Sequence, residues 1–361
     1  MPDTSPSIPD AVASTFDSSL SLELIHLYDY ASTSSIPLSK LGPQSKGGCQ
    51  FIHVVPDLAS KPAVPLHTPD LSQVTKRDPF EGPEYGKGEK VMDLEASDAS
   101  PYSVVLNKFA LMREHFMAIP HFTSSHPFRP QTSPLVSSDL EIAYKIVSSY
   151  ASKGIDLVCF FNGGPNAGAS QPHLHIQFCP FQHDVPPLMQ VVASSLPDNN
   201  DDEGKGEEVK KLDLPWIVFC LKLPSSPLSP SKLHTLYERL LETSNEYLST
   251  LPESSLPPPG PKRSSHNFFL TPSHIFLVPR RSRLISIPRS LSLNQGHLSL
   301  GGGWEEVEGA EKDLRLSVNG LSVLGYWYVG SKEEEGDLRG YGVERVLREC
   351  GYLNEEYEEK K

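Results

Sequence analysis

Residues 154–178, GIDLVCFFNGGPNAGASQPHLHIQF, constrain this chain more than any other stretch. The first part is apolar enough for a buried strand, the middle is a run of turn formers, and the end reads as a second strand. Alternation in that second strand sends His173, His175 and Gln177 to one face, and Leu174, Ile176 and Phe178 to the other. One face is therefore core and the other a polar row. Imidazoles and an amide are costly to bury without partners, so the row is expected to line a cleft where a ligand or a neighbouring loop satisfies them.

The rest of the chain supplies elements to build around this block. Residues 102–110 (YSVVLNKFA) and the HFMAIP that follows predict a hairpin. Ser138 with Glu141 three positions later reads as a capping box, opening a helix that buries Leu140, Tyr144, Ile146 and Val147. WIVFCLKL predicts a strand, and Leu233, Leu236, Tyr237, Leu240, Leu241, Tyr247 and Leu248 recur with helical period. HNFFLTPSHIFLVPR predicts another hairpin, and the closing helix around Val343, Val346, Leu347 and Cys350 is expected to stop at Gly351 as a left-handed cap. Residues 40–101 are rich in Gly, Pro and Asp, with strand character only near 49–55, and predict long ordered loops around a site or a partly mobile cover. Residues 301–313 read as a further loop. The charge-dense stretch 198–211 is expected to be a mobile insertion that cannot repay its ordering entropy.

Composition narrows the functional classes. At 361 residues the chain can bury one large core or two smaller ones, and because single cores tend to stop growing near about 250–300 residues, two lobes or subdomains are the starting expectation. The division predicted is a catalytic lobe at 1–190, the acidic insertion at 191–213 and a C-terminal lobe at 214–361. A formal net charge of -13 argues against coating nucleic acid, which needs a basic surface, but leaves a small polyanion possible. The 5 cysteines are scattered with no CxxC pair, which fits neither a disulfide framework nor a thiolate zinc site and points to a reducing compartment. No stretch approaches the ~18–20 apolar residues of a membrane span, and the N-terminus lacks a secretion signal. A soluble protein, in the cytoplasm or also in the nucleus, is the expectation.

The loop Asn162-Gly163-Gly164-Pro165-Asn166-Ala167-Gly168-Ala169-Ser170 supplies small residues that let backbone N–H groups approach phosphate oxygens, with amide and hydroxyl donors interspersed. Placed beside the histidine row, it suits nucleotidyl transfer, in which a neutral imidazole attacks phosphorus in line and later releases the group from a phosphoramidate. His175, in mid-row, is the candidate nucleophile: a hydrogen bond to one ring nitrogen fixes the tautomer and leaves the lone pair of the other for attack. Gln177 can hydrogen-bond the transferred group without protonating it, which suffices where a polyphosphate leaves unaided. By spacing alone a His-x-His strand is more often a metal site or a packed polar pair, and such a glycine loop is more often only a turn. Their adjacency favours chemistry. No carboxylate or cysteine cluster beyond Cys179, His183 and Asp184 lies nearby to complete a zinc site, so no protein-bound metal is expected.

These residues carry a family resemblance. The pieces ASKP, DPFEGPEY, VLNKFALMREHFMAIP, FNGGPNAGASQPHLHIQ, HNFFLTPSHIFLVPRRS, LGYWYVG and VLRECGY, in that order, resemble the fungal ATP adenylyltransferases, also called diadenosine tetraphosphate phosphorylases. These are histidine-triad proteins related to galactose-1-phosphate uridylyltransferase. The resemblance implies an α+β fold, a mostly antiparallel sheet flanked by helices. It implies that His175 becomes adenylylated, with His173 beside it, and that Gln177 replaces the third histidine of the triad. It further implies phosphate and substrate contacts from Lys61, Asn107, Lys108, Asn162, Gly168, Ala169, Ser170 and Gln171, and from Asn267, Thr271, Ser273 and Arg280 in the C-terminal half. The implied reaction is diadenosine tetraphosphate plus phosphate giving ATP and ADP, reversibly, in a monomer without nucleic-acid or membrane partners. No tightly bound cofactor is implied; magnesium would ride on the substrate phosphates. The rival readings are a hexose-1-phosphate uridylyltransferase working on UDP-sugars, a catalytically silent dinucleotide sensor, and a metal-dependent hydrolase built on His173 and His175.

Overall fold

The computed structural model describes residues 6–19, 32–37, 49–56, 58, 89–122, 127–181, 188–196, 208–288 and 313–359. In chain order the strands are β1 (Ser32–Pro37), β2 (Cys49–Val54), β3 (Lys90–Glu95), β4 (Pro101–Leu106), β5 (Phe116–Pro120), β6 (Leu157–Gly163) and β7 (Ile176–Pro180). They continue as β8 (Lys210–Lys211), β9 (Phe219–Lys222), β10 (His266–Leu270), β11 (His274–Pro279), β12 (Leu284–Pro288), β13 (Asp313–Ser317) and β14 (Tyr326–Val329).

The predicted α+β architecture is present. A nine-stranded sheet runs in the order β3-β4-β5-β7-β6-β10-β11-β9-β8, with each neighbouring pair antiparallel. Both predicted hairpins, β4–β5 and β10–β11, are within it. Its central seam is β6 against β10, so strands from the two halves of the sequence share one sheet. Alternation then divides the core in two. Leu157, Cys159 and Phe161 of β6 face a layer of helices Ile8–Ser19, Ser137–Ala151 and Pro230–Thr250. Val158 and Phe160 face the opposite side, with the small sheet β1-β2-β14, the β12–β13 ribbon and helices Lys332–Tyr341 and Val343–Cys350.

The helix Pro230–Thr250 forms for local reasons, since Ser229 accepts the Lys232 N–H and Pro230 fits the first turn. It buries Leu233, Leu236, Tyr237, Leu240 and Leu248.

The helix at Ser137–Ala151 departs from its predicted start. Val136 is the cap residue, and Asp139, not Glu141, reaches back to its N–H at 2.8 Å. Glu141 instead accepts from the N–H and hydroxyl of Ser97. The reason is tertiary: Asp139 is also held by Arg129 and the Tyr102 hydroxyl, which fixes it at this helix end.

Other boundaries also differ. β7 begins at Ile176, three residues after His173, because a crossing segment occupies the space beside residues 172–175. Gly351 ends the last predicted helix with φ -102, not in the left-handed region, and its N–H still caps Leu347. Lys210 and Lys211, assigned to the charged insertion, pair with Cys220 and Phe219. The remainder of that insertion at 197–207, the loop at 301–312, and residues 59–88 lie outside the described residues. The described Cys159, Cys179, Cys220 and Cys350 are buried free thiols. Among the described residues no helix is long and apolar enough to cross a membrane.

Candidate active site

Strand register assembles the site on the sheet face opposite the helical layer. Gln177 pairs with Met117 of β5 and with Phe160 of β6, while Asn162 of β6 pairs with Asn267 of β10. His173, His175 and Gln177 therefore share a face with Asn162 and Asn267, and Leu174, Ile176 and Phe178 enter the helical core as alternation requires. The row is more enclosed than an open cleft, with His173, His175 and Gln177 at 2%, 3% and 9% exposure.

His175 has a defined tautomer. Its Nδ1 lies 2.8 Å from the His173 carbonyl oxygen. A carbonyl can only accept, so Nδ1 carries a proton, and in the neutral ring Nε2 carries the lone pair. The His173 ring packs against Phe128 with centroids 5.0 Å apart.

Gln177 is oriented by a residue that the sequence reading did not single out. His115, just before β5, places Nε2 3.1 Å from Gln177 Oε1. Because that oxygen only accepts, the Gln177 NH2 is left as the donor toward the transferred group. Asn107 Nδ2 lies 3.3 Å from the same His115 nitrogen, and Asn107 Oδ1 accepts the Phe109 N–H. Lys108 follows on the exposed turn. The signal for His115 was present, one step before a strand of alternating residues, but it acquires meaning only through the β5–β7 pairing.

The glycine loop is shaped by contacts to its own protein. Gly168 has φ +87, and a Cβ there would meet the Asn319 backbone at 2.7 Å. Gly164 has φ +92, and a Cβ there would meet the Ser265 hydroxyl at 2.6 Å. Asn166 donates its side-chain N–H groups to the carbonyls of Lys262 and Arg281. Gly168, Ala169, Ser170 and Gln171 are half-exposed beyond these anchors.

Beneath the loop runs a buried amide relay. Asn267 donates to Asn162 Oδ1 at 2.8 Å and to the Ala167 carbonyl at 3.0 Å. Asn162 Oδ1 also accepts the Gly320 N–H. Arg280 donates to Asn267 Oδ1 at 2.6 Å and to the carbonyls of Ser282, Val318 and Cys350. It is 1% exposed, so it holds Asn267 from behind and is not placed at an open surface. Burial lowers the pKa of this guanidinium, and its partners are neutral oxygens. Among the described residues no carboxylate bonds to it, so its charge under the loop favours an anion above.

Two predicted contacts are not brought here. Thr271 and Ser273 lie at the β10–β11 turn, roughly 13 Å along the strand from Asn267 at ~3.3 Å per residue. There they bind Gln190, with Thr271 donating to its Oε1 at 2.9 Å and its Nε2 donating to Ser273 at 2.8 Å. Lys61 lies outside the described residues. His266, beside Asn267, turns to the helical core instead; its ring meets the Tyr237 hydroxyl at 3.2 Å, and burial lowers its pKa. Among the described residues no group of three or more His, Cys, Asp or Glu side chains could hold a metal ion.

Comparison with known proteins adds independent findings. Residues 44–194 match the family profile of the Ap4A phosphorylase N-terminal domain, and residues 212–353 that of the ATP adenylyltransferase C-terminal domain. Diadenosine 5',5'''-P1,P4-tetraphosphate phosphorylase 2 of Saccharomyces cerevisiae is 26% identical over 295 residues, covering 76% of this chain and 83% of that protein. Protein APA1 of the same yeast is 24% identical over 239 residues, covering 61% and 69%. The crystal structure of yeast Ap4A phosphorylase Apa2 in complex with Ap4A superimposes with a TM-score of 0.65 at 20% identity, covering 97% of this chain and 99% of that one, a likeness of fold.

Proposed function

The chain belongs to the family of ATP adenylyltransferases and Ap4A phosphorylases, and from that premise we propose that it splits diadenosine tetraphosphate with inorganic phosphate into ATP and ADP, and runs the reverse. The observation that carries the reading is the His175 tautomer, with Nδ1–H given to the His173 carbonyl, which in the neutral ring makes Nε2 the nitrogen with the lone pair. In the first half-reaction Nε2 attacks the α-phosphorus of one adenylyl group. An N–P bond forms, the P–O bond to the remaining triphosphate breaks, and ATP leaves as an anion needing no proton. In the second, a phosphate oxygen attacks the same phosphorus, the N–P bond breaks, and ADP departs with neutral His175 restored.

The surroundings support this division of labour. Gln177, oriented by His115, donates to the adenylyl oxygens and cannot act as an acid. The 164–168 loop and Asn162 receive the phosphates over the buried charge of Arg280, while Lys108 and Lys61 add point charges along the chain of phosphates. Magnesium is carried by those phosphates.

The experiment is to incubate purified protein with diadenosine tetraphosphate, with and without phosphate, and quantify nucleotides. ATP and ADP in equal amounts, dependent on phosphate, are expected. With adenosine-labelled substrate and no phosphate, acid-labile label should stay on the protein, and its absence would remove the covalent step. Preferential turnover of UDP-sugars would move the assignment to a hexose-1-phosphate uridylyltransferase, and tight binding without turnover to a sensor.

A further inference from the structure

We infer that Gln131 is a positioning residue for the nucleophile, its side-chain amide standing in for a strand partner of His175; this rests on the reading of His175 as the attacking group. The ladder of β7 ends at Gln177 toward β6 and at Ile176 toward β5, so His175 lies beyond both. Gln131 continues the ladder with its side chain. Its Oε1 accepts the His175 N–H at 2.7 Å, and its Nε2 lies 3.3 Å from the His175 carbonyl oxygen. This double exchange is what a residue opposite in an antiparallel sheet would supply. The same Nε2 donates to the Asn162 carbonyl at 3.1 Å, tying the nucleophile to the first residue of the phosphate loop.

The amide is itself held. Gln131 is 2% exposed, its N–H donates to the Pro172 carbonyl, and its carbonyl accepts the Gly164 N–H. Two residues earlier the Arg129 carbonyl accepts the Leu174 N–H at 2.8 Å, while the Arg129 guanidinium grips both oxygens of buried Asp139 at 2.7 and 2.6 Å. Burial opposes the Arg129 charge, but the Asp139 bonds outweigh it and raise its pKa. A continuous path of bonds therefore runs from the start of the Ser137–Ala151 helix to the nucleophile.

Only a primary amide of this length serves. A glutamate would aim an acceptor at two carbonyl oxygens, and a methionine would fill the volume with neither donor nor acceptor. In-line attack needs the ring held closely, and a displacement of about 1 Å can cost on the order of 100-fold in rate.

The test assays the wild-type protein, Gln131→Met and Gln131→Glu side by side for phosphorolysis of diadenosine tetraphosphate, with a thermal melt to measure the folded fraction. Per folded molecule, kcat is expected to fall about 10- to 100-fold with KM within about threefold, as for an interaction spent on orientation. A purely structural role would lower the folded fraction and leave kcat per folded molecule intact; that result, or kcat within twofold of wild type, overturns the inference. An inactive wild type would instead sink the proposed function. Hydrogen exchange on the wild-type protein is independent of turnover and of variant folding. The His175 amide should exchange as slowly as the amides of β7; exchange as fast as at the exposed Lys108 turn overturns the proposal.

Discussion

At the scale of single residues, function rests on one nitrogen and the groups that aim it. His175→Ala removes the nucleophile and is expected to lower turnover by at least about a thousandfold while leaving a cooperative melt, since substrate binding and folding draw on other groups. Arg280→Met makes the opposite kind of case. It strips donors from Asn267 and from the carbonyls of Ser282, Val318 and Cys350 at once. Leaving such buried acceptors unpaired costs roughly 1–3 kcal/mol each, so denaturant unfolding should show a loss of more than about 3 kcal/mol. Weaker substrate binding should accompany it, because the cation under the loop is gone. His175 and Gln177 were legible because alternation alone fixes their shared face. His115 and Gln131 were not, since the residues they orient, Gln177 and His175, lie 62 and 44 positions away in the sequence.

At the scale of elements, glycines and caps decide the shape of the site. Gly168→Ala meets a left-handed backbone and the Asn319 main chain together. A strained backbone of this kind costs about 1–3 kcal/mol, and neither contact can yield cheaply. The variant should melt earlier and lose phosphorolysis, with a raised KM as the first sign. Asp139→Asn attacks the other anchor. It breaks the two-pronged bond to Arg129 and leaves that cation partly buried, which in comparable pairs costs about 3–5 kcal/mol. A stable Asp139→Asn protein of unchanged kcat would show that the 129–131 segment holds its place without the helix. The capping box read at Ser138 and Glu141 failed here for the same reason: a local motif lost to a carboxylate already engaged by two distant groups.

At the scale of the whole molecule, the two ends of the chain meet at Glu335. Burial disfavours its charge, yet bonds from Lys332, Ser34 and Arg339 prevail and lower its pKa from 4.5 to about 2. A carboxylate whose folded pKa is depressed stabilises the protein above the unfolded value, and that contribution vanishes as pH falls from 4.5 toward about 2. On the order of 2 kcal/mol is at stake. Glu335→Gln should flatten the dependence of melting temperature on pH across that window, and an unchanged slope would mean that other carboxylates dominate.

Periodicity and turn chemistry, which act between residues close in sequence, determined both hairpins, the long Pro230–Thr250 helix and the polar row with its glycine loop, while the α+β class came from the family resemblance. Which strands became neighbours, and hence that His115, Gln131, Asn162, Asn267 and Arg280 would gather behind one imidazole, was decided only in three dimensions. The physical reason is that a hydrogen-bond ladder is satisfied equally well by any strand of suitable length, so register and order are set by how the two faces of the sheet bury their side chains together.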